Sequence, residues 1–260
     1  MKIRQGLITL TRIFSAAPLL LMVSVYPAST ESSPNGGSID PKTILSEMSA
    51  YLGNLDQFGF HAKITLERTV DKGERVKTQE AIDAWIERPN RLHAQLVGDQ
   101  THRELIYDAT LITLVDWKEN VFSRLVVPNT IDSMLDLISE EYGITWPLAD
   151  FLYPNPAKVL LEQVEKSSFV GDERVGQFDC HRLDFEQPNV DWRIWIEAGA
   201  HPIPRKIVID YKNLSDSPTF TGVITDWIFE APTNVNWTEV KGLEDLIPVD
   251  FIRIVKDRSK

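Results

Sequence analysis

From Phe58 onward the sequence turns back on itself so often, through connections so short, that its extended segments can pair only as antiparallel neighbours. Phe58, Phe60, Ala62, Ile64 and Leu66 alternate with polar residues, the period of a half-buried strand. The turn Asp71-Lys72-Gly73-Glu74 leads into 76–87, and Arg88-Pro89-Asn90 separates that segment from 90–98. Segments 102–108, 110–116 and 121–127 continue the series. A parallel pair requires a crossover of about a dozen residues, and none of these connections holds one. Strands resume at 167–175, 177–186, 190–197, 203–211 and 219–230, with turns at Gly176, Pro188-Asn189, Gly199 and Asp216-Ser217-Pro218.

Helices interrupt the strands in two places. Asp40-Pro41 is an N-cap acceptor followed by proline at the first helical position. Ile44, Leu45, Met48 and Leu52 then recur at helical spacing, and Gly53-Asn54 ends the segment. In the middle, Thr130 caps a helix running to Tyr142, with Ile131, Met134, Leu135 and Ile138 on one side and Gly143 closing it. A second piece starts at Trp146-Pro147-Leu148 and runs toward Tyr153; a third starts at Pro156, with Val159, Leu160 and Val164 as its stripe. The tail after Pro232, with Trp237 and a Leu-Ile pair, is expected to pack loosely back.

A long meander curls under its own twist, and helices that cover one face leave an apolar interior between sheet and cover. The expected fold is therefore α+β: a curved antiparallel sheet of about ten strands, forming an incomplete, half-open β-barrel with helices as a lid. A two-sheet sandwich does not account for three consecutive helical pieces in mid-chain.

The N-terminus bears on compartment. Lys2, Arg4 and Arg12 precede the apolar stretch from Ile13 to Val25, with no acidic residue before Glu31. That stretch is shorter than the roughly 20 residues of a membrane span, and small residues follow it, so residues 1–30 read as a secretory signal cut near Ala28 to Thr30. An uncleaved anchor is the alternative. Residues 31–40 read as a flexible linker and 41–260 as one domain, with no further membrane span. Losing the three cations of the signal takes the formal net charge from −11 to −14. An acidic mature chain argues against binding nucleic acid or anionic lipid headgroups through a broad basic surface. Cys180 is the only cysteine, so no intramolecular disulfide forms, and it reads as a small buried hydrophobe.

No catalytic or metal-binding constellation emerges, and no cofactor is implied. His61, His93, His102, His181 and His201 are scattered and lack ligand spacing. Cys180 and His181 are adjacent, so on a strand they face opposite ways. Glycines form neither a phosphate loop nor a nucleophile elbow. Asp184, Glu186 and Asp191 lie near one hairpin, the one place where a carboxylate hydrolase finds residues.

The aromatic residues carry more. In 190–197 alternation puts Trp192, Ile194 and Ile196 on one face, and Arg193 with Trp195 on the other, where the guanidinium can stack on the indole. Trp85, Trp117 and Trp227 also fall in strands, and Phe229 shares a face with Trp227. Apolar residues on both faces of 110–116 and 219–230 mean that both faces are covered. One reading is an ordinary packed core; the other is a cavity holding a hydrophobic ligand through apolar area. Trp85, Trp192, Ile194, Ile207 and Trp227 are the candidate lining.

Several strings extend the reading. They are Arg88-Pro89-Asn90-Arg91-Leu92, Ile106-Tyr107-Asp108, Pro147-Leu148-Ala149-Asp150-Phe151-Leu152, Val170-Gly171 with Gly176 and Cys180-His181, Val190 to Ile196, and Pro202-Ile203-Pro204-Arg205-Lys206. In this order they resemble the bacterial domain-of-unknown-function family 2092, within the group of LolA-like lipoprotein carriers and related periplasmic sensors. One departure stands out: the family pattern favours Asp-Gly after the tyrosine, whereas Asp108 is followed by Ala109. The resemblance implies a half-barrel under a helical lid, a periplasmic location and no enzymatic residue. It further implies that a ligand would be acyl chains or a lipidated protein. A monomeric, non-enzymatic carrier is the expectation; a protein-interaction or envelope-sensor module with a packed interior is the alternative.

Overall fold

The computed structural model describes residues 40–70, 73–230 and 240–252. The signal, nearly all of the linker, Asp71-Lys72 and Trp237 lie outside the described residues.

Among the described residues, twelve strands form one sheet. They are β1 (Gln57–Thr69), β2 (Arg75–Glu87), β3 (Arg91–Gly98), β4 (His102–Asp108), β5 (Leu111–Asp116), β6 (Val121–Val126), β7 (Lys166–Val175), β8 (Phe178–Glu186), β9 (Val190–Glu197), β10 (Pro204–Tyr211), β11 (Thr219–Ile228) and β12 (Ile247–Pro248). Their order is β12-β6-β5-β4-β3-β2-β1-β11-β10-β9-β8-β7. The expected single meander is thus two: one runs from β1 to β6, the other from β7 to β11, and they meet where β1 pairs antiparallel with β11. The sheet is curved and unclosed, with free ends at β7 and at the β6–β12 side. The short tail strand β12 runs parallel to β6, a pairing that two residues of sequence do not announce.

This topology explains the lid. The chain leaves the sheet at β6, one end of the order, and re-enters at β7, the other end. Everything between must travel from one open edge to the other. That interval holds α2 (Ile131–Tyr142), a 3-10 turn at Ala149–Leu152 and α3 (Pro156–Leu160). Before β1, α1 (Pro41–Gly53) joins them. The concave face of the sheet and these helices bury one large apolar cluster, including Phe58, Phe60, Leu105, Trp192, Ile194, Leu45, Met48, Met134 and Leu160.

Local chemistry sets the helix ends where the sequence places them. Asp40 accepts from the Lys42 amide at 3.1 Å and opens α1. Thr130 accepts from Ser133, and Gly143 closes α2 in the left-handed conformation at φ 65°. The third helix is shorter than its apolar stripe suggests, because Gln163 turns left-handed at φ 61° and puts Val164 beyond the helix.

The outer face carries its own small clusters. Cys180, Trp195 and Val208 pack together with Val175 and Phe178. Trp195 is flanked by Lys206, 4.4 Å from its ring centroid, and by Arg182, at 5.4 Å. The expected stacking partner, Arg193, pairs with Asp210 instead. The reason is distance: Lys206 and Arg182 are the direct cross-strand neighbours of Trp195, about 5 Å away, whereas a residue two along the same strand is about 7 Å away. Burial, aided by Glu197, pushes the Cys180 thiol up to about 11, consistent with an inert side chain.

A second outer cluster centres on Glu104, 8% exposed. It accepts from Trp117 Nε1 at 3.0 Å and lies 2.8 Å from His93 Nε2. Trp117 stands in the turn after β5, not in a strand. Burial alone would raise the Glu104 pKa, but the bond and charge of His93, with bonds from Trp117 and Gln95, outweigh it and hold the carboxyl below its usual value. A lowered folded pKa stabilises the protein above the unfolded value of about 4.3 and loses that contribution as pH falls through the folded value. Glu104→Gln should therefore lower the midpoint of thermal unfolding at pH 7, with the difference from wild type shrinking below about pH 4. A pH-independent difference would mean that the carboxylate charge contributes nothing.

Ala109 occupies a backbone position that favours glycine. It sits at φ 82°, the left-handed region where glycine is unstrained, in a turn whose Leu111 amide donates to Asp108 at 3.0 Å. Ala109→Gly should raise stability by about 0.5 kcal/mol, since relief of left-handed strain exceeds the added chain entropy. Urea midpoints with an unchanged slope would measure it.

Candidate functional site

The candidate site is the concave face of the sheet and the lid across it. Register fixes which side chains face inward. Phe58, Phe60 and Ala62 of β1 oppose Ile86, Ala84 and Ile82 of β2, and Trp192 and Ile194 of β9 oppose Ile209 and Ile207 of β10. Trp192 stacks on Phe185 with centroids 4.1 Å apart and planes 11° from parallel. Trp227 lies 5.7 Å from Phe58 and 5.5 Å from Phe60, stacks on Phe229, and donates through Nε1 to the Pro204 carbonyl.

Four of the five candidate lining residues therefore meet in one cluster: Trp192, Ile194, Ile207 and Trp227. Trp85 does not. It pairs in register with Gly59 and His93, so it stands on the outer face between the inward-facing Ala84 and Ile86. The signal for this was present in β2, where Asp83, Trp85 and Glu87 share one side.

The lid is held by a set of polar clasps around residues 152–162. Arg88, in the turn between β2 and β3, donates to the carbonyls of Leu152 at 2.8 Å and Tyr153 at 3.1 Å. Its guanidinium lies 5.5 Å from the Phe58 ring centroid. Burial lowers its pKa, with Asp132 opposing. The Tyr153 hydroxyl donates to Asp136 on α2 at 2.8 Å. Ser49 of α1 donates to Asn155 at 2.9 Å and accepts from the Ala157 amide at 3.0 Å, so α1 and α3 are tied together. Gln187, in the β8–β9 turn, donates to the carbonyls of Leu160 and Glu162. Arg88 and Gln187 are long-range partners that local sequence patterns do not reveal.

Two features bound the segment between α2 and β7. Leu148 and Gln163 both take left-handed conformations, at φ 62° and 61°, which cost a non-glycine residue of the order of 1 kcal/mol each. Leu148 seats over Gly222 of β11, where an added Cβ would come within 3.0 Å of its side chain. Gly222 pairs with Ile64 and Ile207, so its missing side chain is a socket in the sheet floor beneath the lid.

The closed site leaves little free volume. A cavity of about 20 Å³ is lined by Leu135, Ser139, Ile144, Trp146, Asp150 and Tyr153, among others, enough for about one water. Burial, with the charge of Asp150 adding to it, pushes the Tyr211 hydroxyl up to about 12. A wider open groove of about 640 Å³ lies at the β6 edge, between Phe122, Arg124 and residues 240–244.

The groups with catalytic potential are otherwise engaged. Asp184 pairs with Arg182, Glu186 with Lys166 and Asp191 with Lys212. His61 pairs with Asp83 and His181 with Asp172, while His102 and His201 lie beside the rings of Trp117 and Tyr51. Among the described residues, no three His, Cys, Asp or Glu side chains converge as a metal site.

A single curved, unclosed sheet, antiparallel except for the two-residue β12, with helices laid across its concave face, is a half-open barrel. The sequence matches the model of a family described as predicted periplasmic protein (DUF2092) over residues 42–238, and the chain belongs to that family. Its location is thus periplasmic, in agreement with the export read from residues 1–30. No described helix is long and apolar enough to cross a membrane. No curated protein sequence matches the chain.

Solved structures resemble it at low identity. The Mycobacterium tuberculosis lipoprotein LppX is 14% identical, with a TM-score of 0.45, over 76% of this chain and 100% of that one. An uncharacterized conserved protein from Thermus thermophilus is 9% identical, with a TM-score of 0.43, over 80% and 98%. A LolA superfamily protein from Nitrosomonas europaea is 6% identical, with a TM-score of 0.33, over 78% and 99%.

Proposed function

We propose that this protein is a non-enzymatic periplasmic binding protein that takes a hydrophobic ligand, the acyl chains of a lipid or of a lipidated protein, between its sheet and its lid. One observation carries the reading. The inner face of the sheet is apolar and is covered by short helices pinned at a few polar points, not by a second sheet. Trp192, Ile194, Ile207 and Trp227 are the proposed contacts. Large aromatic side chains each bury about 150–250 Å², so a lifted lid would expose an apolar patch larger than a soluble protein leaves bare. Ligand would then replace lid as the cover. Relaxation of Leu148 and Gln163 would offset part of the opening cost.

Native mass spectrometry and lipid extraction of protein purified from envelope membranes test this. Co-purifying lipid at a defined stoichiometry is the expected result. Bare protein in every preparation, with no uptake of added lipid, would overturn it.

The small closed cavity favours a second reading, an interaction or envelope-sensor module with a packed interior. A stoichiometric protein partner captured from an envelope extract, without lipid, would select it.

A further inference from the structure

We infer that the ligand's acyl carbonyl is recognised by buried indole N–H donors, making the preferred ligand class long-chain esters over ethers, hydrocarbons or free carboxylic acids; this rests on the hydrophobic-ligand reading above. Three buried side-chain polar atoms lack a hydrogen-bond partner among the described residues: Arg88 Nε, Trp146 Nε1 and Trp192 Nε1. All three are donors, and all belong to the sheet–lid region. Trp192 is fully buried in the floor and Trp146 is 7% exposed. Trp146 lines the small cavity under the lid, and Arg88 grips the lid backbone at Leu152 and Tyr153.

Both indoles belong to one buried apolar cluster, Trp192 in the sheet floor and Trp146 beside the small cavity under the lid. An unpaired donor buried in an apolar core is costly, and a group that accepts without donating removes that cost. An ester carbonyl is such a group, and it arrives attached to a chain that would cover the apolar floor once the lid lifts. A carboxylate also accepts, but Asp136 and Asp150 stand beside the cavity region, and burying a charge there is costly.

The test is competition against N-phenyl-1-naphthylamine bound to the full mature protein. It uses 1-palmitoylglycerol and 1-O-hexadecylglycerol, which differ at the carbonyl. The ester should displace the dye at about 10-fold lower concentration, the worth of one satisfied buried donor. Trp192→Phe or Trp146→Phe should bring the two ligands within about 2-fold, since each keeps the ring and removes the N–H. In wild-type protein, an indole ¹H–¹⁵N signal should move downfield with the ester and not with the ether, a readout independent of how the variants fold. Equal displacement by both ligands, as expected if the indoles hold only ordered water, would overturn the inference and leave the hydrophobic-ligand reading standing. Displacement by neither ligand would overturn both.

Discussion

Arg88→Ala should destabilise the protein by about 3 kcal/mol and lower the unfolding midpoint by roughly 9 °C. The guanidinium donates to two backbone carbonyls of the lid, at Leu152 and Tyr153, and a hydrogen bond from a charged donor contributes about 1.5–3 kcal/mol. It also lies over Phe58, in the floor of the interior. Removing it leaves two carbonyls without this donor and cuts the tie between the β2–β3 turn and the lid. Hydrogen exchange should accelerate most in residues 149–157, with β1 and β2 little affected. Arg88→Lys should recover only part of the loss, because one ammonium does not present the forked geometry that reaches two carbonyls. A midpoint within about 1 °C of wild type for Arg88→Ala would show that the clasp does not hold the lid.

Gly53→Ala should destabilise by about 2 kcal/mol, although helix propensity predicts the opposite sign. Gly53 is the last residue of α1, and inside a helix alanine is preferred to glycine by up to about 1 kcal/mol. Here an added Cβ would lie 2.3 Å from the Pro154 carbonyl oxygen. That atom is backbone, so relief requires displacing α1 or the lid at the clasp, and overpacking of this kind costs about 1–3 kcal/mol. The two effects differ in sign, so thermal unfolding separates them directly. A raised midpoint would place α1 away from residues 153–155. A lowered midpoint with faster ligand exchange would tie α1 to lid closure.

The elements legible in the sequence are those determined by near neighbours. Thr130 and Gly143 delimit α2 through contacts within a turn of the helix, and alternation in 190–197 puts Trp192, Ile194 and Ile196 on the buried face. Trp85 was also legible in principle, since Asp83 and Glu87 share its side of β2; aromatic size suggested the interior, while period 2 assigned the outer face. The partner of Trp195 was not legible. It depends on which residues lie opposite in β8 and β10, and cross-strand register is a tertiary property.

The sequence by itself determined the extended segments, their antiparallel pairing with near neighbours, the helix caps and the compartment. Each follows from interactions spanning a few residues or from composition. It did not determine that β1 meets β11, so that two meanders fuse into one sheet with its free edges at opposite ends. That pairing joins segments more than 150 residues apart, and many alternative pairings satisfy the same alternation. Once it forms, the mid-chain helices must run from one free edge to the other, and burial of their apolar residues against the inner face draws them across the concave side as a lid. The clasps of Arg88, Ser49, Gln187 and Gly53 are likewise tertiary, because donors, acceptors and a missing Cβ acquire their roles only when distant backbone is brought within a few ångströms.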